Sequence, residues 1–586
     1  MEKRNSKKSN LKIFFAYLKN YKKAVILAPL FMILEVIMDL LQPKLLSKIV
    51  DEGIIKRNSQ IILNTGLVMF LVAIIGLIGG IGCTIFSSLA SQNLGYDLRK
   101  KLFRKILISE FENINKFSPA SLITRLTNDI SQVQQLALIS LRMFVRAPFL
   151  CLGGIIMAFS INLKLSLIIF IIVPALVFTF WYFSKKGFSL FSIMQKKLDR
   201  LNLLIRENLA GIRVIRIFNR TSYEKERFEN ASNELMFASL NALNFIVKMG
   251  PIIMAIINLS LITVLWFGAK MYINNQIKIG EVIAFVNYLM IILISLTMIS
   301  NLFIFISRAI PSIERINEIF GIPEQKKEKK EKYSSFLFKG EIEFKNVFFS
   351  YDGKLENSLL KNISFKIEKG ETVGIIGATG SGKTTLLNLI VGLYQPTLGE
   401  IYISGKNIKD VDPEIIKKNI GFITQESLIF SGTIREIMKW ANQEATDEEI
   451  IFALKISQIY DFIKTLPDGL DTYIGQKGIN LSGGQKQRLT IARAIVKKPE
   501  ILILDDCTSS IDFITEKKIF EELRKKLKDI TKVVVTSRIF TIINADKILV
   551  LENGEIAGIG THFQLLENCE VYREIYEIQK GEKIDV

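Results

Sequence analysis

The sequence predicts a membrane α-helical domain of six spans with long cytoplasmic extensions, followed by an α/β domain built around a phosphate-binding loop (P-loop). Three observations predict it. The 586 residues are 49% hydrophobic with a positive mean hydropathy, too apolar for a wholly soluble chain of this size. Six apolar segments, near residues 24 to 48, 62 to 88, 139 to 160, 164 to 184, 249 to 272 and 280 to 305, are each long enough to cross hydrocarbon. Further on, ETVGIIGATGSGKTT at 371 to 385 joins a buried-strand pattern to a helical run through a glycine-rich loop.

In chain order, the N-terminus MEKRNSKKSN is basic but leads into an amphipathic segment, so a cleaved signal peptide is not expected. Residues 11 to 21, LKIFFAYLKNY, set Phe14, Phe15, Leu18 and Tyr21 among lysines. That fits a helix lying in the membrane interface, or an ordinary amphipathic surface helix. The first, third and fifth loops between spans are short and carry few basic residues, among them Lys56, Arg57, Lys164 and Lys278. The N-terminus and the second and fourth loops are rich in Lys and Arg, which places them, and everything after the sixth span, in the cytoplasm. Those two long loops, about 89 to 138 and 185 to 248, read as helical extensions of the spans. Each closes in a turn, one near Phe117 to Ala120 or within the segment to Asp129, the other near Gly211 to Arg216. The expected domains are 1–320 for the membrane, 321–339 for a linker with a solvated Lys/Glu run at 326 to 332, and 340–586 for the α/β domain.

The loop GATGSGKT matches G-x-x-x-x-G-K-[ST]. Its glycines let backbone N–H groups turn toward phosphate oxygens, Lys383 reaches the outer phosphates, and Thr384 is a ligand for Mg²⁺. A second apolar strand, ILILDD at 501 to 506, ends in Asp505, placed to hold Mg²⁺ through water, and Asp506, placed to orient the attacking water. Between them lies LSGGQKQR, a second phosphate cradle at the head of a helix. One nucleotide does not need two cradles from one chain.

These motifs resemble the nucleotide-binding domain of ATP-binding cassette (ABC) transporters, and with the six spans the resemblance covers nearly the whole chain as an exporter-type half-transporter. Tyr351 stands where an aromatic stacks on adenine. The P-loop comprises Gly377, Ala378, Thr379, Gly380, Ser381, Gly382, Lys383, Thr384 and Thr385, followed by Gln425 in FITQE, the Asp505 strand and the D-loop SSID at 509 to 512. The resemblance implies ATP and Mg²⁺, the metal held by Thr384, Gln425 and Asp505. It also implies that Leu481, Ser482, Gly483, Gly484 and Gln485 close over the ATP of a partner domain, and that the two cytoplasmic turns carry coupling helices.

The chain departs from the family pattern at three positions. The strand after the D-loop usually ends in a histidine that contacts the γ-phosphate; here Ser537 precedes Arg538, and the chain's single histidine, His562, lies beyond the last strand as a structural or surface residue. Asp506 stands where glutamate is usual, which withdraws the carboxylate by roughly 1.5 Å, and Gln476 replaces another glutamate. Binding residues are complete while the base is shortened, so slow hydrolysis at the chain's own loop is expected. An intact LSGGQ beside a weak base points to an unequal partner: a second homologous half-transporter with the active Glu and His and an altered signature. The alternative is a homodimer with two slow sites.

The net charge of +19 is expected to face the anionic inner membrane surface rather than nucleic acid. Cys83, Cys151, Cys507 and Cys569 have no metal or redox spacing. Glu35 and Asp39, one turn apart within the first span, call for a cavity accepting cationic amphiphiles or for an ion pair with Arg142 or Arg146. Small hydrophobic or amphipathic compounds are the expected cargo, with lipids, peptides or a nucleotide-gated regulatory role as alternatives.

Overall fold

The computed structural model describes residues 17–323 and 338–581. The start of the amphipathic segment, with Phe14 and Phe15, and the Lys/Glu run at 326 to 332 lie outside the described residues. The chain divides into two compact units, residues 1–108 with 117–323, and residues 109–116 with 324–586.

Among the described residues of the first unit, six helices are long and apolar enough to cross a membrane: α1 (Lys19–Ile54), α2 (Ser59–Ile108), α4 (Pro119–Ile161), α5 (Leu163–Ala210), α7 (Thr221–Ile273) and the first half of α8 (Ile279–Phe320). Two short helices, α3 (Phe111–Ile114) and α6 (Ile212–Ile217), interrupt the long loops. The second break falls where the sequence placed it. The first break runs from Ser109 to Ser118, so it includes Phe117 of the expected turn but starts earlier and ends there, because Ser118 and Pro119 start the next helix. Ser118 accepts from the Ser121 N–H and Pro119 occupies the first helical position.

Several charged residues inside this unit are paired. On α4, buried Asp129 accepts from Ser312 Oγ at 2.9 Å and Arg315 Nε at 2.7 Å on α8, while Arg125 pairs with Glu318 at 2.7 Å. Buried Asp51 accepts from the Gly280 N–H at 2.7 Å, satisfying an open donor at the start of α8. Within the spans, Arg146 of α4 bonds both Glu35, through Nη1, and Asp39, through Nη2 at 3.0 Å, on α1. Arg142 lines the adjoining cavity of about 590 Å³ with Glu35, Asp39 and Gln42. Of the two readings for these carboxylates, the ion pair is present, with Arg146 rather than Arg142.

The second unit holds a four-stranded antiparallel sheet ordered β2-β1-β4-β5, from β1 (Ile342–Phe349), β2 (Leu360–Ile367), β4 (Leu398–Ile403) and β5 (Lys406–Asn407). Its larger sheet runs β12-β11-β3-β10-β9-β6. The strands are β3 (Thr372–Gly377), β6 (Ile420–Ile423), β9 (Ile501–Asp505), β10 (Thr531–Val535), β11 (Lys547–Glu552) and β12 (Glu555–Gly560). A two-stranded ribbon pairs β7 (Gly432–Thr433) with β8 (Tyr473–Ile474). All pairings in the larger sheet are parallel except β11 with β12.

Both faces of the larger sheet are buried, which is why its strands read as unbroken apolar runs. Leu502, Leu504 and Val534 enter one core, and Ile501, Ile503, Val533 and Val535 the other. The central strands β3, β10 and β9 end side by side, Val535 opposite both Ile375 and Asp505. The loops that leave this edge build the site.

Candidate functional site

Helix α9 (Lys383–Ile390) starts directly after the P-loop that leaves β3. Gly382 has φ +100° and Gly380 φ +87°, both in the region that favours glycine, and the space where a Gly380 side chain would stand is open. Ala378, Thr379 and Gly380 are exposed, leaving the concave side of the loop free. Ser381 is buried with its Oγ lacking a partner. Lys383 Nζ donates to the carbonyls of Gly377 and Ala378, each at 2.8 Å, and burial lowers its pKa. An anionic ligand would supply the acceptor that Ser381 Oγ lacks and a further countercharge for Lys383, so the loop fits phosphate.

Thr384 Oγ1 donates to Asp505 Oδ2 at 3.2 Å, which unites two of the three expected metal ligands. Burial raises the Asp505 pKa, opposed by the Thr384 hydrogen bond. This hydroxyl and buried carboxylate are the oxygen donors Mg²⁺ takes, so the residues fit the ion. Gln425 is exposed two residues beyond β6, which runs parallel to β9 with Ile423 opposite Leu504. It therefore lies at the same sheet edge, without a hydrogen bond to Thr384 or Asp505. Asp506 has φ +43°, its N–H held by the Val535 carbonyl at 2.9 Å. Burial raises its pKa, with Arg538 and Lys383 opposing. Ser537 follows β10 and is exposed, so Asp506 and Ser537 leave adjacent parallel strands.

Tyr351 is 51% exposed, and its hydroxyl shares a hydrogen bond with Thr385 Oγ1 at 3.0 Å. Its ring meets Phe349 and Tyr394 edge-on at 4.9 and 5.2 Å, leaving surface for a flat ligand. Sequence reasoning missed Tyr394; its only signal was an aromatic before proline in GLYQPTLG. Phe111 of α3 sits edge-on to Tyr394 at 5.9 Å, and Asn115 donates to the Tyr394 hydroxyl at 3.4 Å.

Helix α10 (Gly483–Val496) begins with the signature motif. Ser482 and Gln485 form a reciprocal cap: Ser482 Oγ accepts from the Gln485 N–H, and Gln485 Oε1 from the Ser482 N–H at 2.8 Å. Leu481 is buried beneath it. Gly483 and Gly484 face the D-loop; a side chain at Gly484 would come within 2.8 Å of the Ser510 carbonyl. Gln487 locks that approach, donating to Ser509 Oγ at 3.0 Å and accepting from the Ser510 N–H at 2.9 Å. The signature residues therefore pack against the D-loop rather than the P-loop.

His562 is buried, its Nδ1 2.8 Å from the Tyr572 hydroxyl, and burial lowers its pKa. It is a packing residue, as expected.

The family model for the ABC transporter transmembrane region matches residues 25–296, and that for the ABC transporter ATP-binding part, described simply as "ABC transporter", matches 360–509. Among curated relatives, the "Uncharacterized ABC transporter ATP-binding protein YfiB" of Bacillus subtilis (strain 168) is 39% identical over 97% of this chain and 98% of its own. The "Uncharacterized ABC transporter ATP-binding protein MT1311" of Mycobacterium tuberculosis (strain CDC 1551 / Oshkosh) is 33% identical over 95% of this chain and 96% of its own. A solved structure described as a bacterial Atm1-family ABC exporter with ATP bound shares the fold, with a TM-score of 0.77 at 24% identity, covering 96% of this chain and 99% of that one. The six spans and the relatives make this a multi-pass membrane protein with a cytoplasmic ATP-binding domain. The chain belongs to the ABC transporter family, as an ATP-driven transporter with membrane and ATP-binding regions fused in one half-transporter of exporter fold.

Proposed function

We propose that this chain is the slow-hydrolysing half of an unequal ABC heterodimer that exports small hydrophobic or amphipathic compounds across the cytoplasmic membrane. The observation that carries the reading is the pair Asp506 and Ser537, just beyond the ends of two adjacent parallel strands, in a chain whose P-loop and LSGGQ are complete. A carboxylate one methylene short and a hydroxyl in place of an imidazole weaken water activation and γ-phosphate contact together. Misplacement by about 1 Å can cost on the order of a hundredfold in rate.

In this reading Tyr351 stacks the adenine, and the backbone of 377–382 with Ser381 and Lys383 holds the phosphates. Thr384, Asp505 and Gln425 would hold Mg²⁺, which would supply charge neutralisation for the phosphates. Leu481 to Gln485 serve the partner's ATP, where hydrolysis is fast because the partner brings Glu and His. Two bound nucleotides draw the ATP-binding domains together, and the coupling helices pass that closure to the spans. A population shift of this kind needs a differential affinity of only a few kcal/mol. The Arg146 pairing with Glu35 and Asp39 supports a structural role for these carboxylates, and the adjoining cavity favours a cargo that is apolar with one polar end.

The test is ATPase activity of the chain alone in lipid and again with a co-expressed homologous half-transporter that carries Glu and His at these two positions. Activity confined to the pair supports the proposal. Slow turnover by the chain alone, unchanged by the partner, would replace it with the homodimer, and fast turnover by the chain alone would mean that Asp506 suffices as the base and would overturn the unequal pair.

A further inference from the structure

The switch position at Ser537 is held from the C-terminal helix. Gln579, on α14 (Glu570–Lys580), donates through Nε2 to the Ser537 carbonyl at 2.7 Å and accepts through Oε1 from the Ile539 N–H at 2.8 Å. A primary amide offers a donor and an acceptor side by side, so one side chain satisfies both backbone groups flanking Arg538. Helix α14 is itself fixed: Tyr572 is fully buried against His562, and Tyr576 lies 6.5 Å from Phe540.

The other side of the same loop is tied to the D-loop. Arg538 bonds Glu516 of α11 (Phe513–Lys526) at 3.0 Å and the Ser509 carbonyl at 3.2 Å. Buried Glu516 also accepts from Thr508 at 2.7 Å and Thr541 at 2.8 Å. With Arg538 committed to one side, the direction of the Ser537 side chain depends on the clamp from Gln579. Removing the amide frees the backbone on both sides of residue 538 while leaving the Arg538 bonds in place.

We infer that Gln579 is a positioning residue of the chain's own ATP site: it sets where Ser537 stands and thereby the preference for ATP over ADP. The inference rests on the reading that residue 537 faces the γ-phosphate. Gln579 is exposed, so water replaces part of what truncation removes, and the effect is a few-fold rather than a hundredfold.

The experiment uses the full chain in lipid and measures Mg-ATP and Mg-ADP affinity by displacement of a fluorescent ATP analogue. Variants are Ser537→Ala, Gln579→Ala, Gln579→Glu and the double alanine. Ser537→Ala and Gln579→Ala are each expected to lower the ATP-over-ADP ratio about three- to fivefold with ADP affinity unchanged. Gln579→Glu keeps the acceptor for Ile539 but sets a carboxylate oxygen against the Ser537 carbonyl, and should lower the ratio at least as far as Gln579→Ala. The double variant should be no worse than Ser537→Ala, because both act through one group. A wild-type ratio in Gln579→Ala beside a shifted Ser537→Ala would overturn the inference alone, as would full additivity or an equal loss of ADP affinity. An unchanged ratio in Ser537→Ala would overturn the reading beneath it.

Discussion

The Thr384 hydroxyl donates to the Asp505 carboxylate at 3.2 Å across 121 residues of sequence. The helix after the P-loop and the strand before the D-loop are thereby joined at the point where a metal would sit. Thr384→Ala is expected to lower Mg-dependent ATP affinity by about tenfold and leave metal-free nucleotide binding nearly unchanged, the loss of one oxygen ligand with its charge-assisted bond. Titrations with and without Mg²⁺ check it.

Burial raises the Asp505 pKa, so its proton is held more tightly folded than unfolded. For a raised pKa the stabilising contribution is present at low pH and is lost as pH rises through the folded value. In nucleotide-free protein this group's contribution is therefore smaller at neutral than at acid pH. Asp505→Asn should raise that protein's thermal midpoint at pH 7 and not at pH 4, while abolishing the stabilisation that Mg-ATP gives the wild type.

Asp506 and Ser537 predict a gain of function. Asp506→Glu restores the missing methylene and should raise turnover at this chain's own site about tenfold or more, with Ser537→His adding to it. Single-turnover hydrolysis, with the partner's own P-loop disabled, isolates the site. No increase in either variant would remove the argument from a shortened base.

Arg146 bonds two carboxylates inside the spans. Arg146→Met alone leaves both without a partner and should cost several kcal/mol, seen as loss of folded protein from the membrane. Adding Glu35→Gln and Asp39→Asn removes the uncompensated charge and should restore the yield. If the triple variant also restores transport, the charges are structural; if it folds and fails to transport, they meet the cargo.

The lowered His562 pKa gives the opposite sign to Asp505. A histidine held neutral in the fold contributes stability above its unfolded pKa of about 6.5, lost as pH falls through that window. His562→Gln should flatten the fall in thermal midpoint between pH 7 and 5 and leave ATPase activity within about twofold of wild type.

The sequence by itself determined what depends on local pattern. Apolar length set the six spans, since hydrocarbon thickness and helical rise are fixed, and Lys/Arg asymmetry set their orientation. The P-loop was legible because strand, glycines, lysine and helix N-terminus are contiguous. Tertiary structure decided the pairings between distant residues: Arg146 rather than Arg142 at Glu35 and Asp39, Tyr394 beneath Tyr351, and Gln579 at Ser537. It also moved the start of the first cytoplasmic turn back to Ser109, although Ser118 and Pro119 already carried the signal of a helix start. Periodicity tells which face of an element is buried and not what it is buried against, so a side chain's partner is settled only when the elements pack.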